Sequence, residues 1–265
     1  WMEAAMLTDL ASMVWIEARK AWRSGMPLWT ALGSLFMPLA IGFLIFVARN
    51  PQISQKLGLI SAKANLVTYA GIDWRGYLGY FSVLMAAGGF ILYVLTISWV
   101  FGREFADGTL KDMLAVPVPR WSILYAKFAV VAAWSLALSV IILGVGLLLG
   151  RMMALPGGTA QVILQGSGIC LITACLTIVA ALPFALAASG GRGYLAPVGL
   201  AILTVMMTNI VVIAGRGEYF PWSVPALYAE GKSALPHVSY AIVLMTGILG
   251  MLATYLWWKY ADQSR

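Results

Sequence analysis

Hydrophobic and polar positions fall in long blocks along this chain. Apolar runs at about 27–48, 78–101, 121–150, 160–189, 195–214 and 237–258 each reach or approach the ~20 residues that a helix needs to cross a bilayer. The pattern predicts an all-α integral membrane protein with six transmembrane helices. Little polar chain is left over, so residues 1–265 read as a single transmembrane domain. The third run is longer than a bilayer needs and is expected to tilt or to project into water. Pro183 is expected to kink the fourth.

Ahead of the first run, residues 9–23 (DLASMVWIEARKAWR) change period. At 100° per residue, Leu10, Ala21, Val14, Ala18, Ala11, Trp22 and Trp15 share an arc of about 140°. Arg19, Ser12, Arg23, Asp9 and Lys20 take the opposite side, Ile16 is the exception, and Glu17 sits at the edge of the apolar arc. Cations on one face and two Trp on another suit an amphipathic helix lying in the membrane interface. A longer, tilted start to the first span is the alternative.

The other polar feature is the island Gly102–Arg120 between the second and third runs. Asp107-Gly108 is a turn dipeptide, since Gly adopts positive φ without steric cost. Thr109 and Asp112 have helix-start spacing, which predicts a short helix from about Thr109 to Ala115. Pro117 and Pro119 stop it. Arg103 to Asp107 read as a continuation of the second span.

The segment 215–236 contains Tyr219-Phe220-Pro221-Trp222-Ser223-Val224-Pro225. Its aromatic and proline content suits an interfacial or re-entrant element, because Trp and Tyr prefer the headgroup level. Within the spans the polar side chains are mild, and Asn209, with Thr208 beside it, is the most costly to leave against lipid.

Composition supports the membrane reading. The chain is 62% hydrophobic and 10% charged, against roughly 25% charged in a soluble domain. Its net charge of +7 suits anionic headgroups or an acidic partner, and without a basic patch on a soluble fold nucleic acid fits poorly. The two cysteines, Cys170 and Cys175, project apart on one helix and are expected to stay unpaired. The first apolar run is too long for a cleavable signal and lacks a small-residue cleavage site, so none is expected.

No GxxxxGK[ST] occurs, so no phosphate-cradling loop is expected on this chain. The single His237, beside Pro236, offers neither a zinc site nor the base of an intramembrane protease. The apolar runs carry no Asp or Glu, whereas ion-coupled carriers usually keep one at depth. Uphill transport would need energy from a separate subunit.

Glu104, Gly108, Thr109, Leu110 and Lys111, followed by Pro117, Val118, Arg120, Ile123, Leu124 and Lys127, form a pattern that resembles the permease subunits of ABC-2 type ABC exporters. The Gly191–Pro197 run, with Pro221-Trp222 and Pro225-Ala226, is similar to the bacitracin- and lantibiotic-type permease branch. The resemblance implies two copies of a separate ABC ATPase, which would carry the ATP and magnesium, and a second permease chain, identical or homologous, in the same bilayer. It implies no catalytic, cofactor or metal residue here. The island would be a cytoplasmic coupling helix docking on the ATPase. Phe105, Leu110, Met113 and Leu114 would make its apolar contacts, and Arg103, Glu104, Asp107, Lys111 and Asp112 would set register around Gly108-Thr109. The interfacial helix would bring Glu17, Arg19 and Lys20 near the ATPase, flanked by Trp15, Trp22 and Arg23. Residues 215–236 would form an outer lip, with Pro221, Trp222, Pro225, Thr208 and Asn209 as pathway candidates.

Six spans place both termini on one side, and the resemblance implies that this side is the cytoplasm of a cell inner or plasma membrane. The segments then inside carry nine Lys/Arg and those outside seven, a small difference in the direction of the positive-inside rule. The implied function is expulsion of an amphiphilic peptide antibiotic, conferring resistance. A lipid, glycan, sodium or drug cargo on the same fold is the alternative, and a non-transporting membrane sensor or scaffold is another.

Overall fold

The computed structural model describes residues 2–50, 52–53, 71–109, 118–231 and 235–260. Its helices are α1 (Met2–Arg23), α2 (Met26–Arg49), α3 (Trp74–Ala106), α4 (Arg120–Met152), α5 (Ala160–Gly190), α6 (Leu195–Ile213), α7 (Val224–Glu230) and α8 (His237–Tyr260), with a 3-10 turn at Gly217–Tyr219 between α6 and α7. Among the described residues no strand occurs, and α2 to α6 with α8 are the six helices long and apolar enough to span a membrane. The helix expected at 109–115 lies outside the described residues beyond Thr109.

Local chemistry sets several helix ends. Gly25 takes a left-handed φ of 72° and breaks the chain between α1 and α2. The Asp73 carboxylate accepts from the Gly76 amide at 2.8 Å to cap α3, and the Thr159 hydroxyl accepts from the Val162 amide at 3.3 Å to cap α5. Both satisfy donors that a first helical turn leaves open. Within α3, Met85–Gly89, small from Ala86 onward, form one π-helical turn. The α5 helix is interrupted at Leu182–Pro183, where the missing proline amide removes a helical hydrogen bond.

The first two helices follow α4 in the same direction. Met13 packs on Ile123 and Ala126, Trp134 Nε1 donates to Thr30 Oγ1 at 3.0 Å, and Arg49 Nη1 donates to the Met153 carbonyl at 2.7 Å. With 33 residues, α4 is about 50 Å long, longer than the ~30 Å hydrocarbon layer.

Among the spans α3 is the most enclosed. Tyr93 hydrogen-bonds Ser139 of α4 at 2.7 Å, and Ser82 meets Cys170 of α5 at 3.0 Å. The Gly146 and Gly150 pair of α4 receives aromatic rings of α3. A Cβ on Gly146 would stand 2.5 Å from Phe81, and one on Gly150 2.7 Å from Trp74. Tyr77 also donates its hydroxyl to the Gly146 carbonyl at 2.7 Å. On α8, Gly247 abuts Val179, and Gly250 abuts Pro183 at the α5 break. Only Pro197 and Ala201 of α6 are buried.

Around α1 the structure shows three sectors. Met13, Glu17 and Ala21 are buried against the protein, Trp15 and Trp22 are exposed on a second side, and Arg19 and Arg23 are exposed on a third. Glu17 is therefore central to the packed face. Hydropathy placed it at the margin because a carboxylate scores as polar even when an ion pair buries it.

Candidate functional site

The last turns of α3, the first turns of α4 and the second half of α1 meet at one end of the bundle. Lys127 lies two turns into α4, and its side chain is fully buried. An ammonium there needs anionic partners, since an unpaired buried charge is strongly unfavourable. Lys127 Nζ donates to Glu104 Oε1 at 2.7 Å, to the Val100 carbonyl at 2.9 Å and to Glu17 Oε2 at 3.2 Å. Lys20 closes the cluster from the other side, reaching Glu17 Oε1 at 2.9 Å and Glu104 Oε1 at 3.1 Å.

Two carboxylates and two ammoniums on three helices thus form a neutral group. Glu104 and Glu17 are almost fully buried, while Lys20 stays partly exposed. Burial disfavours the Lys20 ammonium, but Glu17 and Glu104 outweigh it and raise its pKa above the ordinary lysine value. Such a cluster fixes register more than it adds net stability, because desolvation offsets much of the Coulomb attraction.

The rest of the α3 end is tied down as well. Arg103 pairs with Asp107 one turn on at 3.0 Å, and its guanidinium sits 4.9 Å from the Trp99 ring centroid. Phe105 meets Trp258 of α8 edge to face at 6.1 Å. A Cβ on Gly102 would stand 2.9 Å from the Gly193 carbonyl oxygen, so α3 runs directly against the 191–194 turn. After Ala106 the helix ends, and Gly108 takes a φ of 69°. Asp107, Gly108 and Thr109 are exposed. Leu110, Lys111, Asp112, Met113 and Leu114 lie outside the described residues.

Where the chain resumes, Arg120 fastens it to α8. Its Nη1 donates to the Trp258 carbonyl at 2.6 Å and to the Lys259 carbonyl at 3.3 Å, carbonyls that a helix C-terminus leaves without partners. Trp258 is itself buried and donates its indole N–H to Ser189 at the end of α5, at 2.9 Å. The first flank of 107–119 is therefore anchored to α1 and α4 by the charge cluster and to α8 through Phe105, and the second is anchored to α8 through Arg120.

Sequence reasoning noticed Lys127 and Arg120 only as parts of a pattern. A lysine in an apolar run carried the available signal, since it demands a carboxylate. Trp258 and Ser189 gave none, because their pairing depends on how α5 and α8 pack. Of the interfacial-helix residues, Glu17 and Lys20 join the cluster and Trp15, Arg19, Trp22 and Arg23 do not.

The outer-lip candidates converge elsewhere. Trp222 donates its indole N–H to the Ala180 carbonyl at 2.8 Å, a carbonyl beside the α5 break. Since Gly247 abuts Val179, this contact lies about 15 Å along α8 from its start, near the middle of that helix. Ser223 donates to the Gly217 and Phe220 carbonyls, which folds the segment on itself. Trp222, Thr208 and Asn209 line a cavity of about 190 Å³ together with Ala86 and Ala87 of the π-helical turn. Pro225 is buried nearby, and Pro221 is half-buried.

The family model described as ABC-2 family transporter protein matches residues 13–208. That range includes Glu17, Lys20, Glu104 and Lys127 and ends before the 3-10 turn. The chain is also 28% identical over 177 residues to the bacitracin transport permease protein of Bacillus licheniformis, an alignment covering 66% of this chain and 85% of that protein. No solved structure matches the chain.

Proposed function

This chain belongs to the ABC-2 family of transporter proteins, and we propose that it is the membrane permease subunit of an ATP-driven exporter that expels an amphiphilic peptide antibiotic. On this reading two copies of a separate ATPase dock on residues 103–114 of two permease chains, and both termini face the cytoplasm. ATP-driven closure of the ATPase pair displaces the 107–119 segment. Its first flank carries that displacement to α1 and α4 through Glu104, Lys127, Glu17 and Lys20. Its second flank carries it to α8 through Arg120.

The observation that carries the proposal is that the chain is anchored on both sides of 107–119, where Asp107, Gly108 and Thr109 are exposed. A buried four-charge cluster stands on one side and a capped helix end on the other. A segment that must receive force and pass it on needs both. The peptide cargo is supported by the likeness to a relative whose name is bacitracin transport permease.

Replacing Leu110 and Met113 together by Asp tests the docking. The double variant should reach the membrane at wild-type level and lose the ATPase during affinity purification. Undiminished recovery of the ATPase would remove the docking role from this segment. For the cargo, a deletion strain should become sensitive to amphiphilic peptide antibiotics and not to unrelated drugs.

A further inference from the structure

Where α3 and α5 begin and α4 ends, a second cavity opens at the far end of the bundle from the Glu104–Lys127 pair. Gly144, Leu147, Leu148 and Arg151 of α4 form one wall, their i, i+3, i+4 and i+7 spacing placing them on one helix face, and Trp74 of α3 and Ile163 of α5 complete it. Its volume is about 690 Å³, within the roughly 300–1,000 Å³ of ligand pockets. From Arg151 to Gly144 the groove runs about 10 Å along α4. A Cβ on Gly144 would meet nothing within 4 Å, so the deep end is open. Leu148 is exposed beside it, which leaves the groove accessible from the bilayer.

Trp134, Trp222 and Trp258 each donate their indole N–H to a protein acceptor. Trp74 does not. It is only 6% exposed, and its ring is wedged between two glycines: a Cβ on Gly150 would stand 2.7 Å from the ring, and one on Gly158 2.6 Å from Nε1. Its N–H has no partner among the described residues and is not sealed within protein, so it opens on the cavity. A buried indole N–H ordinarily finds an acceptor. Above it, Arg151 makes no ion pair among the described residues. No described Asp or Glu lines the wall, Asp73 turns Oδ1 to the Gly76 amide, and residues 51–70 contain no acid at all. The carbonyls of Leu149, Gly150 and Arg151 accept from the Met153, Leu155 and Ala154 amides, which blunts the negative end of α4. At this end of the bundle the segments 49–77, 151–159 and 215–236 carry seven Lys/Arg against three Asp/Glu, so the surrounding field also favours an anion.

We infer that this groove binds a membrane lipid through a phosphate head group. The Arg151 guanidinium takes two phosphate oxygens in its fork, the fixed Trp74 N–H donates to a third, and an acyl chain lies along Leu147, Leu148 and Ile163 toward Gly144. An arginine at a helix end reaches the headgroup level on its own. The rigid indole donor beside it and the open trough below it turn that contact into a site. The inference goes beyond the transport reading and does not depend on it, because it concerns a resident lipid and not the cargo.

The test uses the purified full-length chain, delipidated in a maltoside detergent, with bound lipid counted by native mass spectrometry. The probes are phosphatidate, diacylglycerol with the same acyl chains, and inorganic phosphate. Phosphatidate should bind about tenfold more tightly than diacylglycerol, as charge-assisted hydrogen bonds to the head group would produce. Arg151→Gln should bring that ratio close to one. Trp74→Phe keeps a ring in the wedge but removes the N–H, and should lower the ratio about threefold. Gly144→Leu fills the deep end and should weaken both lipids. Arg216→Gln, which removes a cation at the same end but outside the wall, should leave the ratio unchanged. A ratio that survives Arg151→Gln, or that falls as far with Arg216→Gln, overturns the site. No effect of Trp74→Phe reduces it to an arginine at the headgroup level and overturns it too. Displacement of phosphatidate by an equal concentration of inorganic phosphate overturns the lipid as its occupant. Neither ATPase nor cargo is present, so this inference and the transport reading fail separately.

Discussion

Lys127 Nζ stands 2.7 Å from Glu104 Oε1, and both side chains are buried. The two residues come from α4 and α3, and Glu17 of α1 completes the arrangement at 3.2 Å from the same ammonium. Replacing Lys127 by Met would leave two buried carboxylates beside one partly exposed lysine. Removing one partner of a buried ion pair costs about 3–5 kcal/mol. Lys127→Met should therefore lower the unfolding temperature of the purified chain sharply. Adding Glu104→Gln and Glu17→Gln to it should restore much of the loss, because the uncompensated charges are then gone. A triple variant no more stable than Lys127→Met would mean that the lysine stem, not its charge, holds this end together.

Lys20 gives the cluster a pH signature. Its pKa is raised in the folded chain, where Glu17 and Glu104 overcome the opposing effect of burial. A raised folded value means that the stabilisation is fully present below the unfolded lysine pKa, about 10.4, and is lost as pH rises through the folded value. The difference in unfolding temperature between wild type and Lys20→Met should stay constant from neutral pH to about 9 and shrink above about 10.4. A difference that shrinks between pH 5 and 8 would contradict the assignment.

Much of this was legible in the chain, for reasons that differ by element. The six spans follow from long apolar runs, because a membrane helix must be apolar whichever way it packs. The end of α3 was legible too, since Arg103 and Asp107 are spaced one turn apart and Gly108 supplies the positive φ that closes the helix. The cluster was half legible. Lys127 announced a need for a carboxylate, but its partners lie 23 and 110 residues away, and no local period selects them. Glu17 was placed at the edge of an apolar arc, because the wheel cannot separate a lipid-facing side from a protein-facing one. The depth of Trp222 was not legible either. It depends on the break at Pro183 exposing a carbonyl at the right height, which only the packed structure shows.

The glycines of α4 make a direct contrast. A Cβ on Gly146 would meet the Phe81 ring at 2.5 Å, whereas one on Gly144 would meet nothing within 4 Å. Gly146→Ala should destabilise the chain by about 1–3 kcal/mol through overpacking. Gly144→Ala should be neutral or stabilising by up to about 1 kcal/mol, as expected for Gly to Ala inside a helix. Thermal unfolding in one detergent checks both. If Gly146 and Gly150 instead served to bring a second chain close, Gly146→Ala would change the oligomeric state more than the unfolding temperature.

Arg120 separates transmission from stability. Its guanidinium holds the Trp258 and Lys259 carbonyls at 2.6 and 3.3 Å, and Trp258 in turn reaches Ser189. These bonds run from the second flank of 107–119 into α8. Arg120→Gln keeps a donor but shortens the reach and removes the charge, a loss of about 1.5–3 kcal/mol for hydrogen bonds to a charged group. The proposed docking residues are untouched, so on that reading the ATPase should still co-purify and hydrolyse ATP. On the proposed reading, movement of α8 should be lost. The expected outcome is a fall in cargo export per ATP hydrolysed, at nearly wild-type ATPase activity, in reconstituted vesicles. Trp258→Phe should act in the same direction, since it removes the indole donor to Ser189 while leaving an aromatic ring beside Phe105. Export and hydrolysis falling in equal proportion in both variants would assign Arg120 to the folding of this end of the bundle and take it out of the transmission route.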